Sequence, residues 1–218
     1  MICGADTAQT TFYINYSPYP YAYAAFDVLL HEFGHQVENI LGITTSSRLS
    51  HKPYENLAEL WNSKDIGISL AWSESFATVF GQIVQDYFKY EFVQNGTTMK
   101  FFADKCYTSY ETHIYSVEDY DGYVGGLHCY GQRNYGEACE ASVTAVLYSF
   151  YNKYGVFWSA VKTSQLAAFE TPSVGQQKRG TFSAYADYIY NTPAYASYLP
   201  EFNRLLTREQ IASYGLKL

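Results

Sequence analysis

Two segments of the chain carry apolar residues at helical spacing, and each segment holds ionisable side chains inside that apolar pattern. The first covers residues 22–41 and is followed by Gly42, a residue that commonly ends a helix. The second covers residues 66–90, which is about seven helical turns. Because charged groups inside an apolar pattern need partners in the fold, these two helices are expected to hold a polar site between them.

The first predicted helix contains His31-Glu32-Phe33-Gly34-His35, which matches the zinc-site motif H-E-x-x-H. Residues four apart on an α-helix lie about 40° apart around the axis and one turn along it, so both imidazoles can reach one ion. Glu32 lies about 100° around the axis from His31, where its carboxylate can accept a proton from an attacking water. The motif predicts His31 and His35 as Zn²⁺ ligands and Glu32 as general base.

The third ligand is expected on the second predicted helix. The longer metzincin motif requires Gly and His where this chain has Glu38 and Leu41, so a zinc site of the metzincin type is not expected. Within residues 70–81, Glu74 shares a helical stripe with small residues and is flanked by aromatic ones. A carboxylate in such surroundings needs a cation to offset its desolvation, which favours Glu74 as the ligand.

Two other carboxylates compete for this role. Glu55 and Glu59 lie in residues 54–61, where a short helix is expected and would bring one of them toward the metal. A solvated helix face accounts for both of them as well. Glu74 is therefore the preferred ligand.

Residues 12–90 resemble the gluzincin metallopeptidases, the thermolysin-like zincins in which a glutamate on a second helix completes the zinc site. The segment Trp-Ser-Glu-Ser-Phe-Ala at 72–77 is similar to the third-ligand helix of secreted bacterial peptidases. Thermolysin-like enzymes carry an Asp four residues after the ligand glutamate, whereas this chain has Thr78 there. The resemblance implies a peptide or protein substrate, with these residues as zinc ligands and base: His31, His35, Glu74 and Glu32.

Peptide hydrolysis also needs a hydrogen-bond donor for the oxyanion, which zincins usually supply from a Tyr or His outside the motif helices. The Gly-rich stretch 121–131 offers His128, Tyr130 and Tyr123, for which an ordinary loop rim is the alternative interpretation. In the third predicted helix, Glu140 is either a partner of a ligand histidine or an exposed acid that stabilises the helix start. We favour the second interpretation of Glu140.

Composition describes a globular protein and argues against several classes of partner. Hydrophobic residues make up 48% of the 218 residues, and charged residues only 16%. The net charge of −7 disfavours nucleic acid, and no apolar run reaches the 18 residues of a membrane span. No Lys or Arg precedes Arg48, so the start lacks the basic region of a secretory signal, and we expect a larger parent chain. Cys129 and Cys139 are the likeliest of the 4 cysteines to pair, with buried thiols as the alternative.

The complete pattern predicts an α+β, mainly helical, zincin-like catalytic domain that spans residues 1–218. A small N-terminal sheet, with a strand near residues 10–16, is expected over the motif helix, beside the helix that carries Glu74. Residues 1–135 would form the zinc-site lobe and residues 136–218 a helical C-terminal lobe. Beyond the two long helices, helices are predicted over residues 135–154, 156–168, 182–190 and 207–214.

The predicted function is a secreted zinc metallopeptidase, extracellular or at the cell surface, that uses zinc-activated water and a glutamate base. Two alternatives stay open at this point. One is a zinc-stabilised but catalytically inactive domain that recognises protein or glycan. The other is a zinc hydrolase that acts on non-peptide amides or esters.

Overall fold

The computed structural model describes a mainly helical protein. The described residues are 2–6, 11–15, 24–41, 51, 54–88, 91–94, 97–100, 106–108, 114–116, 134–161 and 181–211. Residues 158–161 are also helical, and a 3₁₀ helix spans Pro193–Tyr198. The α-helices are α1 (Ala24–Leu41), α2 (Leu57–Leu60), α3 (Lys64–Phe88), α4 (Glu140–Tyr154), α5 (Phe182–Asn191) and α6 (Leu199–Arg208). Within these described ranges, no helix has the length and apolar character that crossing a membrane requires.

Within the part of the chain that the structure describes, six short strands form three separate antiparallel pairs. The pairs are β1 (Ile2–Asp6) with β2 (Thr11–Asn15), β3 (Glu91–Gln94) with β4 (Thr97–Lys100), and β5 (Cys106–Thr108) with β6 (Ile114–Ser116). In the first pair, Ile2 lies opposite Asn15 and Asp6 opposite Thr11. The zincin-type sheet over the motif helix and the division into two lobes stay predictions.

Helices α1 and α3 pack closely because small residues face each other at their contact. A Cβ atom added to Gly34 would lie only 2.7 Å from the Cα atom of Ala77. One added to Gly81 would lie 3.2 Å from the Cβ atom of Leu30. The two backbones therefore approach one another directly at Gly34, which brings the side chains on either side of this contact together.

The face that α1 turns toward α3 is more polar than its apolar period suggests. Ile40 belongs to the predicted apolar stripe, yet 72% of its surface is exposed. His31, Gln36 and Glu38 are buried instead, with exposed fractions of 7%, 2% and 0%. Helix α1 therefore buries polar side chains as well as apolar ones, while Ile40, which shares the apolar spacing, is exposed to solvent.

Helix α2 is a single turn fixed between α3 and the segment before α4. The side chain of Asn56 caps its first turn by accepting from the backbone N–H of Ala58, at 3.1 Å. Leu57 is fully buried, and its backbone N–H donates to the carbonyl of Ala138 over 2.9 Å. Gly67 of α3 lies so close to α2 that an added Cβ atom would be 2.3 Å from the Ala58 nitrogen.

An aromatic core fills the space between α3 and the C-terminal helices. Phe76 on α3 stacks on Phe157 with ring centroids 5.6 Å apart, and Trp72 lies 6.0 Å from Tyr185 of α5. Phe202 of α6 completes this core and is fully buried. Fully burying one such side chain contributes roughly 1.5–3 kcal/mol. Helix α3 is therefore held firmly along the side opposite α1.

The C-terminal helices differ from the predicted ones at two boundaries. Helix α4 begins at Glu140, five residues after the predicted start of 135. The predicted helix over 207–214 is wrong: Thr207 lies inside α6, where its hydroxyl donates to the carbonyl of Asn203, and Gln210 has a φ of 53° just after the helix. Helix α6 starts at Leu199, and Pro200 is compatible with its first turn because the N–H that proline lacks has no partner within the helix there.

Replacing Gly34 by Ala should destabilise the protein, because the new methyl group would collide with the α3 backbone. We expect the free energy of unfolding to fall by about 1–3 kcal/mol, even though alanine favours helix by about 1 kcal/mol over glycine. Urea denaturation followed by circular dichroism measures this change. Gly81→Ala is the matched control and should cost less, since its nearest contact would be at 3.2 Å rather than 2.7 Å. Equal or greater stability of Gly34→Ala would contradict the close packing of α1 and α3.

Candidate metal centre

The two motif histidines lie one turn apart on α1 and direct their Nε2 atoms to the same point. These two atoms are 3.1 Å apart, and the ring centroids are 4.7 Å apart at an interplanar angle of 86°. His31 is 7% exposed and His35 is half-buried. Two nitrogen atoms this close need a proton or a cation between them.

Glu74 of α3 completes a triangle of donor atoms with these histidines. Its Oε2 atom lies 3.1 Å from Nε2 of His31 and 3.5 Å from Nε2 of His35. Zinc bonds of about 2.0–2.1 Å in tetrahedral geometry place neighbouring ligand atoms about 3.3 Å apart. The three measured separations, 3.1, 3.1 and 3.5 Å, scatter around that value, so the donor set fits a zinc ion.

The competing carboxylates are not part of this triangle. Glu59 is exposed on α2, and its carboxylate accepts a hydrogen bond from the side chain of Asn56 over 2.8 Å. Glu55 is half-buried, and among the described residues neither it nor Glu59 joins a group that could hold an ion. The acid that α3 brings to the histidines is Glu74.

The Nδ1 atom of His31 faces Thr78, the residue found where thermolysin-like enzymes have Asp. Nδ1 lies 3.0 Å from the Thr78 hydroxyl oxygen, which in turn lies 3.4 Å from Oε1 of Glu140. With the proton on Nδ1, the imidazole donates to Thr78 and the hydroxyl donates to Glu140. This arrangement leaves the Nε2 lone pair of His31 available to a metal.

The second histidine is oriented by a carboxylate on its own helix. Nδ1 of His35 lies 3.0 Å from Oε2 of Glu38, and the hydroxyl of Ser73 donates to the same oxygen over 2.6 Å. Sequence reasoning missed Glu38 as a partner, although its position three residues after His35 puts both on one helix face. Both histidines thus direct Nδ1 toward an acceptor and Nε2 toward Glu74.

Two residues near the site differ from expectation. Glu140 was favoured as an exposed acid, but it is only 3% exposed because the start of α4 packs on α3, where Ser75 donates to its backbone carbonyl. His51 was not predicted at all, and its Nε2 atom lies 3.4 Å from Oε2 of Glu140 and 3.9 Å from Oε2 of Glu74. No periodic pattern surrounds His51, so the sequence gives little signal for it.

Of the predicted catalytic residues, the structure describes only Glu32. Glu32 is half-buried on α1, adjacent in sequence to His31. His128, Tyr130 and Tyr123 lie outside the described residues, so the oxyanion donor stays a prediction. Cys129 lies outside them too, whereas Cys139 is buried with its Sγ atom 3.1 Å from the carbonyl oxygen of Asn134.

Burial and neighbouring charges shift the pKa values of the site residues in opposite directions. For two residues the charges have the larger effect. Burial acts to raise the pKa of Glu74, yet the charge and hydrogen bonds of His35 and His31 lower this pKa well below 4.5. Burial likewise acts to lower the pKa of His35, but Glu74 and Glu38 raise this pKa well above 6.5. At Glu38 burial prevails over the contacts with His35 and Ser73, and the pKa is raised from 4.5. Without a metal, the site is therefore organised around a charged His35–Glu74 pair.

Comparisons of the chain with protein-family models, with curated proteins and with solved structures found no match. The functional argument therefore depends on the geometry of the described residues.

Glu74→Gln should weaken zinc binding strongly, because an amide oxygen is a neutral and poorer ligand. Loss of a hydrogen-bond partner of a ligand already costs about 10–100-fold in affinity, so we expect a loss of at least about 100-fold. Competition with a chromogenic chelator measures the affinity. Glu59→Gln makes the same chemical change at an exposed site and should leave it unchanged. Equal affinities of the two variants would remove Glu74 from the site.

The chelator-treated protein should lose stability as the pH rises above about 6.5. A raised pKa of His35 in the folded state gives stability that is complete below 6.5 and is lost as the pH rises through the folded-state pKa. Glu74 contributes stability above 4.5, which is lost only as the pH falls through its lowered pKa. Urea denaturation between pH 5 and about 9 tests this, and His35→Gln should flatten the decline. If the stability of His35→Gln falls with pH as much as that of the unmodified protein, groups other than His35 cause the loss.

Proposed function

We propose that the protein is a zinc metallopeptidase that cleaves peptide bonds with water. The observation that carries this proposal is the triangle of His31 Nε2, His35 Nε2 and Glu74 Oε2, whose sides match the ligand spacing of tetrahedral zinc. Three protein ligands leave one position open, which is typical of catalytic rather than structural zinc. The glutamate that directly follows the first histidine supports hydrolysis as the chemistry of that open position.

Within this proposal each residue of the site has one task. When bound, zinc supplies Lewis acidity, which polarises the scissile carbonyl and makes a water molecule easier to deprotonate. Glu32 accepts the proton of the attacking water and later donates it to the amine that leaves. Thr78 and Glu38 hold the two imidazoles through Nδ1, at 3.0 Å each, so that both keep the ligand orientation.

The proposal also includes a zincin-like fold, secretion and an oxyanion donor. A zincin-like arrangement, with a small sheet over α1 and the aromatic C-terminal helices closing the cleft, would give an extended peptide an edge strand to pair with. Secretion is part of the proposal because of the resemblance to secreted peptidases. The oxyanion donor is proposed among His128, Tyr130 and Tyr123.

Glu32→Gln should strongly reduce peptide cleavage while leaving zinc bound. General-base assistance contributes about 10²–10⁴-fold, and we expect turnover to fall by this factor. The assay digests a peptide library with the zinc-loaded protein, then with chelated protein, and then after zinc is restored. Zinc content measured on the same samples separates loss of the base from loss of the metal.

Glu59→Gln is the matched control and should cleave like the unmodified protein. Full turnover in Glu32→Gln would contradict the proposed mechanism. Zinc binding without cleavage of any peptide would favour a binding domain, and cleavage of amides or esters alone would favour a non-peptide hydrolase.

A further inference from the structure

A second group of donor atoms lies directly beside the first and shares one residue with it. His51, Glu74 and Glu140 bring one imidazole nitrogen and two carboxylate oxygens within 4.8 Å of one another. Nε2 of His51 lies 3.4 Å from Oε2 of Glu140 and 3.9 Å from Oε2 of Glu74. The distance of 3.4 Å matches the spacing of about 3.3 Å between neighbouring ligands of tetrahedral zinc, and the distance of 3.9 Å is longer than that spacing.

The two groups of donor atoms share one oxygen atom. Oε2 of Glu74 belongs to both triangles, since it is the atom nearest to His31 and His35 and also the one nearest to His51. A carboxylate in this position can bridge two cations. Two-metal hydrolytic sites hold their ions about 3.5–4 Å apart, a spacing that one bridging carboxylate allows.

The charge of the site supports a second cation. Glu38, Glu74 and Glu140 have side chains that are 0%, 16% and 4% exposed, so three carboxylates lie largely out of water. Among the described residues, the cationic partners within 4.0 Å of these carboxylates are histidines; the described Lys and Arg ion pairs lie at Glu201 and Glu209. One divalent ion balances two of the three charges, and an unbalanced buried charge is strongly unfavourable.

We propose that His51, Glu74 and Glu140 bind a second divalent transition-metal ion, for which zinc is the ion to test. The site then holds two ions that are bridged by Glu74. The second position has one nitrogen and two oxygen donors, against two nitrogens and one oxygen for the first. Because zinc prefers nitrogen and sulfur to oxygen ligands, the second ion binds more weakly than the first. This inference depends on the proposed metal centre but not on peptide cleavage.

The test is the number of zinc ions bound by the full chain. Titration with zinc against a chromogenic chelator, with elemental analysis, should give two ions per chain for the unmodified protein. His51→Gln and Glu140→Gln should each bind one ion, and the remaining ion should keep its affinity within about 10–100-fold, the usual effect of residues near a ligand. Glu59→Gln should still bind two. His51→Gln keeps the test decisive if Glu140→Gln fails to fold.

Cobalt shows whether the two ions are neighbours. The fully loaded Co²⁺ protein should give a weaker electron paramagnetic resonance signal per ion than His51→Gln, because adjacent ions couple magnetically. One ion per chain in the unmodified protein overturns the inference, as do two uncoupled ions or two ions retained in both variants. These outcomes are separate from peptide cleavage: a single zinc ion with cleavage removes only the second site, and two ions without cleavage remove only the peptidase function.

Discussion

The direct contact between Gly34 of α1 and Ala77 of α3 is the constraint on which the site depends. Each helix supplies only part of the donor set, since the histidines lie on α1 and Glu74 lies on α3. A side chain at position 34 would separate the helices, because its first carbon already falls 2.7 Å from the opposing backbone. The separation of Glu74 from both histidines, 3.1 and 3.5 Å, is thus a consequence of how closely two helix backbones approach.

Buried carboxylates give this helix pair its chemical character. An interface between two helices normally buries apolar side chains, but here it buries Glu38 and His31, and Glu140 at the start of α4 is buried beside them. Such burial is unfavourable unless the charges are matched, and the histidines and serine and threonine hydroxyls provide only part of the match. The aromatic core on the other side of α3 offsets this local cost through the burial of residues such as Phe76 and Trp72.

The sequence predicted the parts of the site that follow from helical periodicity. The four-residue spacing identified the histidines, and the apolar surroundings of Glu74 marked it as a buried acid that needs a cation. Glu38 was noted only as a mismatch to the metzincin motif, although its position three residues after His35 puts both side chains on one helix face. The burial of Glu140 and the approach of His51 arise from tertiary packing between distant segments, which local patterns do not encode.

The helices, too, were predicted well where a local periodic pattern determines them. Long periodic segments predicted α1 and α3 to within two residues at each end, since their bounds are Ala24–Leu41 and Lys64–Phe88. The helix predicted over 207–214 was misplaced because Thr207 and Gln210 have the spacing of a capping box, which is typical of a helix start. In the structure Thr207 lies near the end of α6, whose Leu205 and Leu206 are buried.

Helix α3 carries Glu74 on one side and the aromatic core on the other, and this has a consequence for the geometry of the site. The packing of Trp72 and Phe76 fixes the position of α3, so Glu74 cannot move away from the histidines without disturbing the aromatic core. Substitutions in that distant core would in this way change the spacing of the donor atoms at the proposed metal centre.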